Sequence, residues 1–204
     1  MAPKIPPKAI PYLIWALTTV ALKAGTVLFS QAGASAVSVF TGVLLLYIPF
    51  IYYISARREI RFLNIVSLRK SLFWLIIFIT ATFLVYTTVL KISGGHYEKA
   101  RLAILFTKKS WIFWGSSLLA VGLPEEFFFR GFLYSEIEGS EVKKIAVTSV
   151  LFALTHLAVG ASLLRAMTVF PGIVLALLRS RTKEIYTPAL LHTFMNLINW
   201  LGPL

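Results

Sequence analysis

Glu125, Glu126 and Arg130 stand together in the apolar stretch LPEEFFFRGFLY, and His156 stands in LFALTHLAV. His192 and Asn196 stand in LLHTFMN. Carboxylates, imidazoles and an amide in apolar surroundings can move protons, polarise water and stabilise a developing anion. Ionisable groups within apolar helices are costly to bury and usually mark function. On a helix, Glu126 and Arg130 are spaced i, i+4, so one face pairs them. Glu125 is turned by about 100° from Glu126 and cannot share that arginine equally well. One carboxylate is therefore neutralised structurally, and the other is left free for chemistry. His192 and Asn196 share the i, i+4 spacing and point into the same cleft. Taken alone, His156 reads as readily as a satisfied structural residue, and His192 with Asn196 as readily as interhelical glue.

The elements that must carry these residues are apolar runs long enough to span a bilayer core. They are approximately Ile10–Ser30, Ala34–Ser55, Ser71–Leu90, Trp111–Tyr134, Ile145–Leu164, Ala166–Leu178 and Ile185–Leu201. Of the 204 residues, 58% are hydrophobic, against roughly 45–50% in ordinary globular domains. Backbone groups in lipid must bond internally, so the runs are helices. The expected fold is an all-α, polytopic membrane bundle of about seven transmembrane helices, or eight if Tyr97–Phe106 adds a short re-entrant or interfacial element. It forms one membrane domain, with N-terminal helices and basic loops over 1–110 and the chemistry over 111–204, in the last four helices. The sixth run is short, and Pro171 and Gly172 suggest a kink. The first run lacks a convincing cleavage site and reads as a retained helix.

Composition removes whole classes of mechanism. There is no cysteine, and all eight acidic residues are glutamates, so thiol chemistry, Ser-His-Asp triads and aspartyl dyads are absent. The net charge of +12 lies mostly in short loops, where the positive-inside rule and anionic lipids explain it without nucleic acid. Lys4 and Lys8, the Arg57–Lys70 loop, Lys143 and Lys144, and Arg179 to Lys183 fall on one side. The cell membrane with a cytoplasmic N-terminus is the expected location, although the Lys91–Lys109 loop runs against it. In that orientation Glu125 lies roughly 13 Å from the cytoplasmic end of its run, with His192 and Asn196 at roughly 10 and 16 Å and His156 at roughly 15–20 Å. Three helices thus place polar groups in one slab, expected to open toward the cytoplasmic leaflet.

The ordered motifs EExxxR, FxxxH and HxxxN resemble those of the CPBP intramembrane proteases, which include the type II CaaX prenyl endopeptidases. Here they read Glu125 to Arg130, Phe152 to His156, and His192 to Asn196. The resemblance covers roughly Trp111 to the C-terminus. It implies a metal-independent, glutamate-dependent hydrolase acting on a membrane-associated protein or peptide, without a cofactor. Its pattern maps Glu125 and His156 onto water activation and His192 and Asn196 onto the oxyanion site, with Glu126, Arg130 and Phe152 as structural support. The short stretch between the second and third motifs points to a bacterial or archaeal processing branch. Two other readings stay open. One is a zinc enzyme using Glu125, His156 and His192 with an open fourth position. The other is a non-enzymatic membrane binding or immunity protein.

Several further residues invite smaller readings. Lys23 is expected to snorkel, the tryptophans to anchor at interfaces or face lipid, and Phe127 to Phe129 to pack between helices. Ser116, Ser117 and Thr155 have no evident activating partner. His96 is expected to be solvated.

Overall fold

The structure, a computed structural model, describes residues 6–92 and 108–201. His96 and the Tyr97–Phe106 segment lie outside the described residues. Seven long helical elements follow one another, and no strand occurs among the described residues. They are α1 (Ile10–Leu28), α2 (Ala34–Ser55), α3 (Leu68–Ile92), α4, α5 (Glu141–Val159), α6 (Val169–Thr182) and α7 (Tyr186–Leu201). α4 is composite: Lys108–Ser117, Leu123–Glu126 and Tyr134–Glu136 are α-helical, and the wider π turns Leu118–Gly122 and Phe127–Leu133 join them.

The chain is a multi-pass membrane helix bundle. Five helical stretches are long and apolar enough to cross a membrane, namely Pro7–Leu28, Ala36–Ser55, Leu68–Val89, Glu141–Val159 and Leu163–Thr182. α4 and α7 carry the polar groups. α4 packs against α2 and α7, α5 packs extensively on α6, and α3 lies across α6 and α7. Phe127, Phe128 and Phe129 are all buried, as expected of packing residues, and form the core with Phe132, Leu133 and Phe152. Close approach uses small residues, as is usual between membrane helices. A Cβ on Gly122 would stand 2.8 Å from Thr193 Oγ1 and 3.1 Å from the Ala189 carbonyl, so α4 and α7 touch there.

The boundaries expected from hydropathy shift where capping chemistry intervenes. The fifth run begins at Glu141, because Ser140 accepts a hydrogen bond from the Lys143 N–H. It ends at Val159, before extended Gly160. The sixth run belongs to a longer stretch, since a turn at Leu163–Ala166, capped by Ser162, leads into α6. Trp15 corrects the lipid-facing expectation for the tryptophans. Its indole N–H donates to Thr155 Oγ1 at 2.9 Å and to the Leu151 carbonyl at 3.2 Å, tying α1 to α5. Trp111, by contrast, is 65% exposed on the outside of the bundle. Lys23 donates to the Val159 carbonyl at 3.3 Å, at the end of α5.

The loops expected on one side do gather at one end of the bundle. Lys8 pairs with Glu138 at 2.8 Å, Arg58 pairs with Glu136, and Lys183 pairs with Glu141 at 3.4 Å. Beside Glu136, the Arg58 guanidinium is held above its ordinary pKa by the carboxylate charge.

Candidate active site

Pro124 explains much of the local backbone around the glutamates. It has no N–H to offer the Ala120 carbonyl one turn earlier. The helix widens just before it, and the Leu123 N–H reaches back five residues to Leu118. Such π turns are frequent at functional sites. Here one stands on each side of Leu123–Glu126, the segment that holds both carboxylates.

The two glutamates then diverge. Glu126 is fully buried, and its Oε1 accepts from Arg130 Nη1 at 2.9 Å and from His192 Nδ1 at 3.0 Å. Arg130, also fully buried, donates from Nη2 to the Gly172 carbonyl at 3.1 Å, which carries the ion pair across to α6. Its guanidinium carbon lies 4.4 Å from the centre of the Phe152 ring. Glu125 shares none of these bonds. Its Oε2 has no hydrogen-bond partner and lies 3.9 Å from His192 Nε2. The i, i+4 pairing of Glu126 with Arg130 therefore forms, and Glu125 is the carboxylate left open.

Glu125 and His156 line one cavity of about 340 Å³. His156 Nδ1 is 3.0 Å from the Phe152 carbonyl, which can only accept, so Nδ1 carries the proton. In the neutral ring, Nε2 is then left with a lone pair. Phe152 also stacks on His156, with ring centres 4.4 Å apart, and stands 6.0 Å from His192. The FxxxH spacing thus fixes the imidazole through both the ring and the carbonyl of one residue.

Asn196 faces an adjoining cavity of about 500 Å³ and donates from Nδ2 to Ser117 Oγ at 3.3 Å. Ser38, Ala120 and Val121 line both cavities, so the two meet along α4 and α2. His192 bridges from α7 toward both glutamates, but its Nδ1–H is committed to Glu126. Its Nε2 therefore donates only when the ring is imidazolium. α7 is held in register from its start by Glu184, which accepts from the Thr187 N–H at 3.1 Å and from Ser71 Oγ of α3 at 3.1 Å.

The direction in which the site opens differs from expectation. The first cavity is lined by Leu22 and Thr26 late in α1, Val37 and Ser38 early in α2, Val159 at the end of α5 and Arg165 in the Leu163–Ala166 turn that follows it. These positions lie toward the end opposite Lys8, Arg58 and Lys183. A cytoplasmic N-terminus and a site opening to the cytoplasmic leaflet therefore do not go together. The reason is chain direction: α4 runs from Glu125 toward the basic end, whereas α5 runs away from it and carries His156 near its far end.

Residues 107–198 match the family model described as type II CAAX prenyl endopeptidase Rce1-like. The match supports the CPBP resemblance of the three motifs, which all lie within it. Neither the curated proteins nor the solved structures include a match to the chain. The matched segment contains Glu125, Glu126, Arg130, Phe152, His156, His192 and Asn196, together with Ser117. In general terms the match supports a CAAX-type intramembrane protease.

Sequence reasoning passed over three groups that position this site. Ser117 had no visible partner, because the π turn between it and Glu125 breaks the helical phase. Gly172 offers a backbone carbonyl, which no side-chain pattern reports. Glu184 did leave a signal: a glutamate three residues before Thr187, just ahead of an apolar helix, is an acidic N-terminal cap.

Proposed function

We propose that the protein is an intramembrane endopeptidase in which Glu125 and His156 activate a water molecule against a peptide carbonyl. The observation that carries this reading is the shared cavity, in which Glu125 has an unbonded Oε2 and His156 has an unprotonated Nε2. A water held between them can lose its proton to either base as it attacks. Asn196, from the adjoining cavity, and His192 in its imidazolium form supply donors for the tetrahedral oxyanion. Glu126, Arg130 and Phe152 hold α4, α5, α6 and α7 in the geometry that this requires.

The geometry favours this chemistry over a zinc centre. Among the described residues, Glu125, His156 and His192 do not come together as a group that could hold an ion. The substrate is a membrane-associated protein or peptide, and the short stretch between the second and third motifs favours a processing-type enzyme. With the N-terminus cytoplasmic, as the basic loops suggest, the cavity faces the opposite leaflet.

The test compares the termini of membrane proteins in cells carrying the native protein or the Glu125→Ala variant. Substrates should show new termini only with the native protein. Identical terminal profiles, with both proteins present at equal levels in the membrane, would refute the protease reading.

A further inference from the structure

Another cavity lies away from Glu125, at the basic end of the bundle. It has a volume of about 680 Å³ and is bounded by the α2–α3 loop, the end of α4 and the end of α6. Five cations line it, namely Arg57, Arg58, Arg61, Arg179 and Lys183, against two carboxylates, Glu59 and Glu136. Arg58 is paired with Glu136 and Arg61 with Glu59. Lys183 reaches Glu141, outside the cavity. Arg57 and Arg179 have no carboxylate within ion-pair distance among the described residues.

Arg179 is the telling member, because it is 7% exposed. Its Nε donates to the Arg130 carbonyl at 3.0 Å, and its guanidinium carbon lies 5.6 Å from the Tyr134 ring centre. A buried guanidinium without an anion is costly. Its planar fork suits a phosphate oxygen pair. Arg57 (φ 50°) and Lys183 (φ 65°) are the non-glycine residues with left-handed backbone among those described, and both line this cavity. Each stands just past the end of a helix, α2 and α6 respectively, where a left-handed residue commonly closes the last turn, so both helix ends bring a cation to the cavity. Tyr53 and Phe62 supply an apolar wall.

We propose that this cavity binds the phosphate of an anionic phospholipid headgroup, with Arg57 and Arg179 as its ligands and Lys183, turning in from its half-exposed pair with Glu141, as a third. The position fits. The cavity lies at the ends of membrane helices, at headgroup depth, and basic pockets between helices commonly take such headgroups. The aromatic wall would receive the glycerol and upper acyl carbons. An occupant would brace α4, because Arg179 holds the Arg130 carbonyl and the Phe62 ring abuts Gly131, where a Cβ would stand 2.5 Å from it.

The experiment measures thermal melting of the purified full-length protein in a neutral detergent. The additives are phosphatidylglycerol, phosphatidylcholine or inorganic phosphate, at matched concentrations. Phosphatidylglycerol should raise the melting temperature, and the other two should not. Arg57→Asn with Lys183→Asn removes two charges while keeping residues that tolerate left-handed backbone. That variant should melt like the native protein in phosphatidylcholine and lose at least half of the phosphatidylglycerol response. The pair Arg69→Gln and Lys70→Gln, at the same end but outside the cavity, should keep the full response. A full response in the Asn variant, or an equal loss in the Gln control, would show diffuse surface charge and overturn the site. Equal protection by inorganic phosphate would overturn the lipid assignment. None of these readouts depends on proteolysis, so the proposal stands or falls apart from the enzyme reading.

Discussion

His192 Nδ1 lies 3.0 Å from Glu126 Oε1, so the imidazole of α7 is bonded to the glutamate that helical spacing alone assigns to Arg130. One oxygen thereby joins α4 to α7 while Arg130 carries the network on to α6. The Glu126–Arg130 pair is fully desolvated, and such pairs matter mostly for what is left behind when one partner goes.

Glu126→Gln should therefore destabilise the fold. It leaves the Arg130 charge buried without an anion, at a cost of about 3–5 kcal/mol. Glu125→Gln keeps the shape of a side chain whose Oε2 makes no hydrogen bond, so it should melt like the native protein and lose turnover. Detergent melting beside a cleavage assay separates the two. Early melting of Glu125→Gln with native-like melting of Glu126→Gln would reverse the assignment.

Phe152 positions two groups at once, with its ring 4.4 Å from the Arg130 guanidinium carbon and its carbonyl on His156. Phe152→Leu keeps the carbonyl and loses the ring. It should lower stability by about 1–2 kcal/mol, through repacking and the lost cation–π contact. Turnover should fall about 10–100-fold, because His156 loses the surface that orients it, with KM little changed. Unaltered kcat in a folded variant would show that the ring has no positioning role.

What was legible in the sequence is local. EExxxR, FxxxH and HxxxN each lie within one helix, and the ion pair that spacing predicts between Glu126 and Arg130 forms. The membrane bundle followed from run length and hydropathy. What was not legible crosses between helices or depends on helical phase. Arg130 meets the Gly172 backbone, Trp15 meets Thr155, and Asn196 meets Ser117 beyond a π turn. A period of 3.6 residues carried through Leu118–Gly122 and Phe127–Leu133 misplaces every residue beyond them. The opening of the cavity also escaped, because depth within each run had to be combined with the opposite directions of α4 and α5.

Asn196 separates an oxyanion donor from a metal ligand. Asn196→Ala should fold and lose about 10²–10³ in turnover. Ser117→Ala should cost less, because it only frees the amide that Ser117 Oγ now orients. Asn196→Asp places a carboxylate against a negative oxyanion, so its turnover should fall at least as far as that of the Ala variant. At a zinc site the aspartate would be the better ligand. Stoichiometric zinc, chelator-sensitive cleavage and an active Asn196→Asp protein would together sink the metal-free mechanism.

Orientation decides which leaflet supplies the substrate, and the chain's lack of cysteine makes it measurable. Asn64 and Glu138 are exposed at the basic end, and Gln31 and Ala161 are exposed at the end toward which the Glu125 cavity lies. Single cysteines at Asn64 and Glu138 should react with a membrane-impermeant thiol reagent only after the cells are opened. Cysteines at Gln31 and Ala161 should react in intact cells. That pattern places the basic loops in the cytoplasm and the cavity toward the outer leaflet, so substrates would be cut on the outer side. The reverse pattern would put the N-terminus outside and give Glu125 access to cytoplasmic substrates, against the positive-inside bias of the described loops. Labelling of Asn64 and Gln31 from the same side would contradict α1 and α2 as spanning helices.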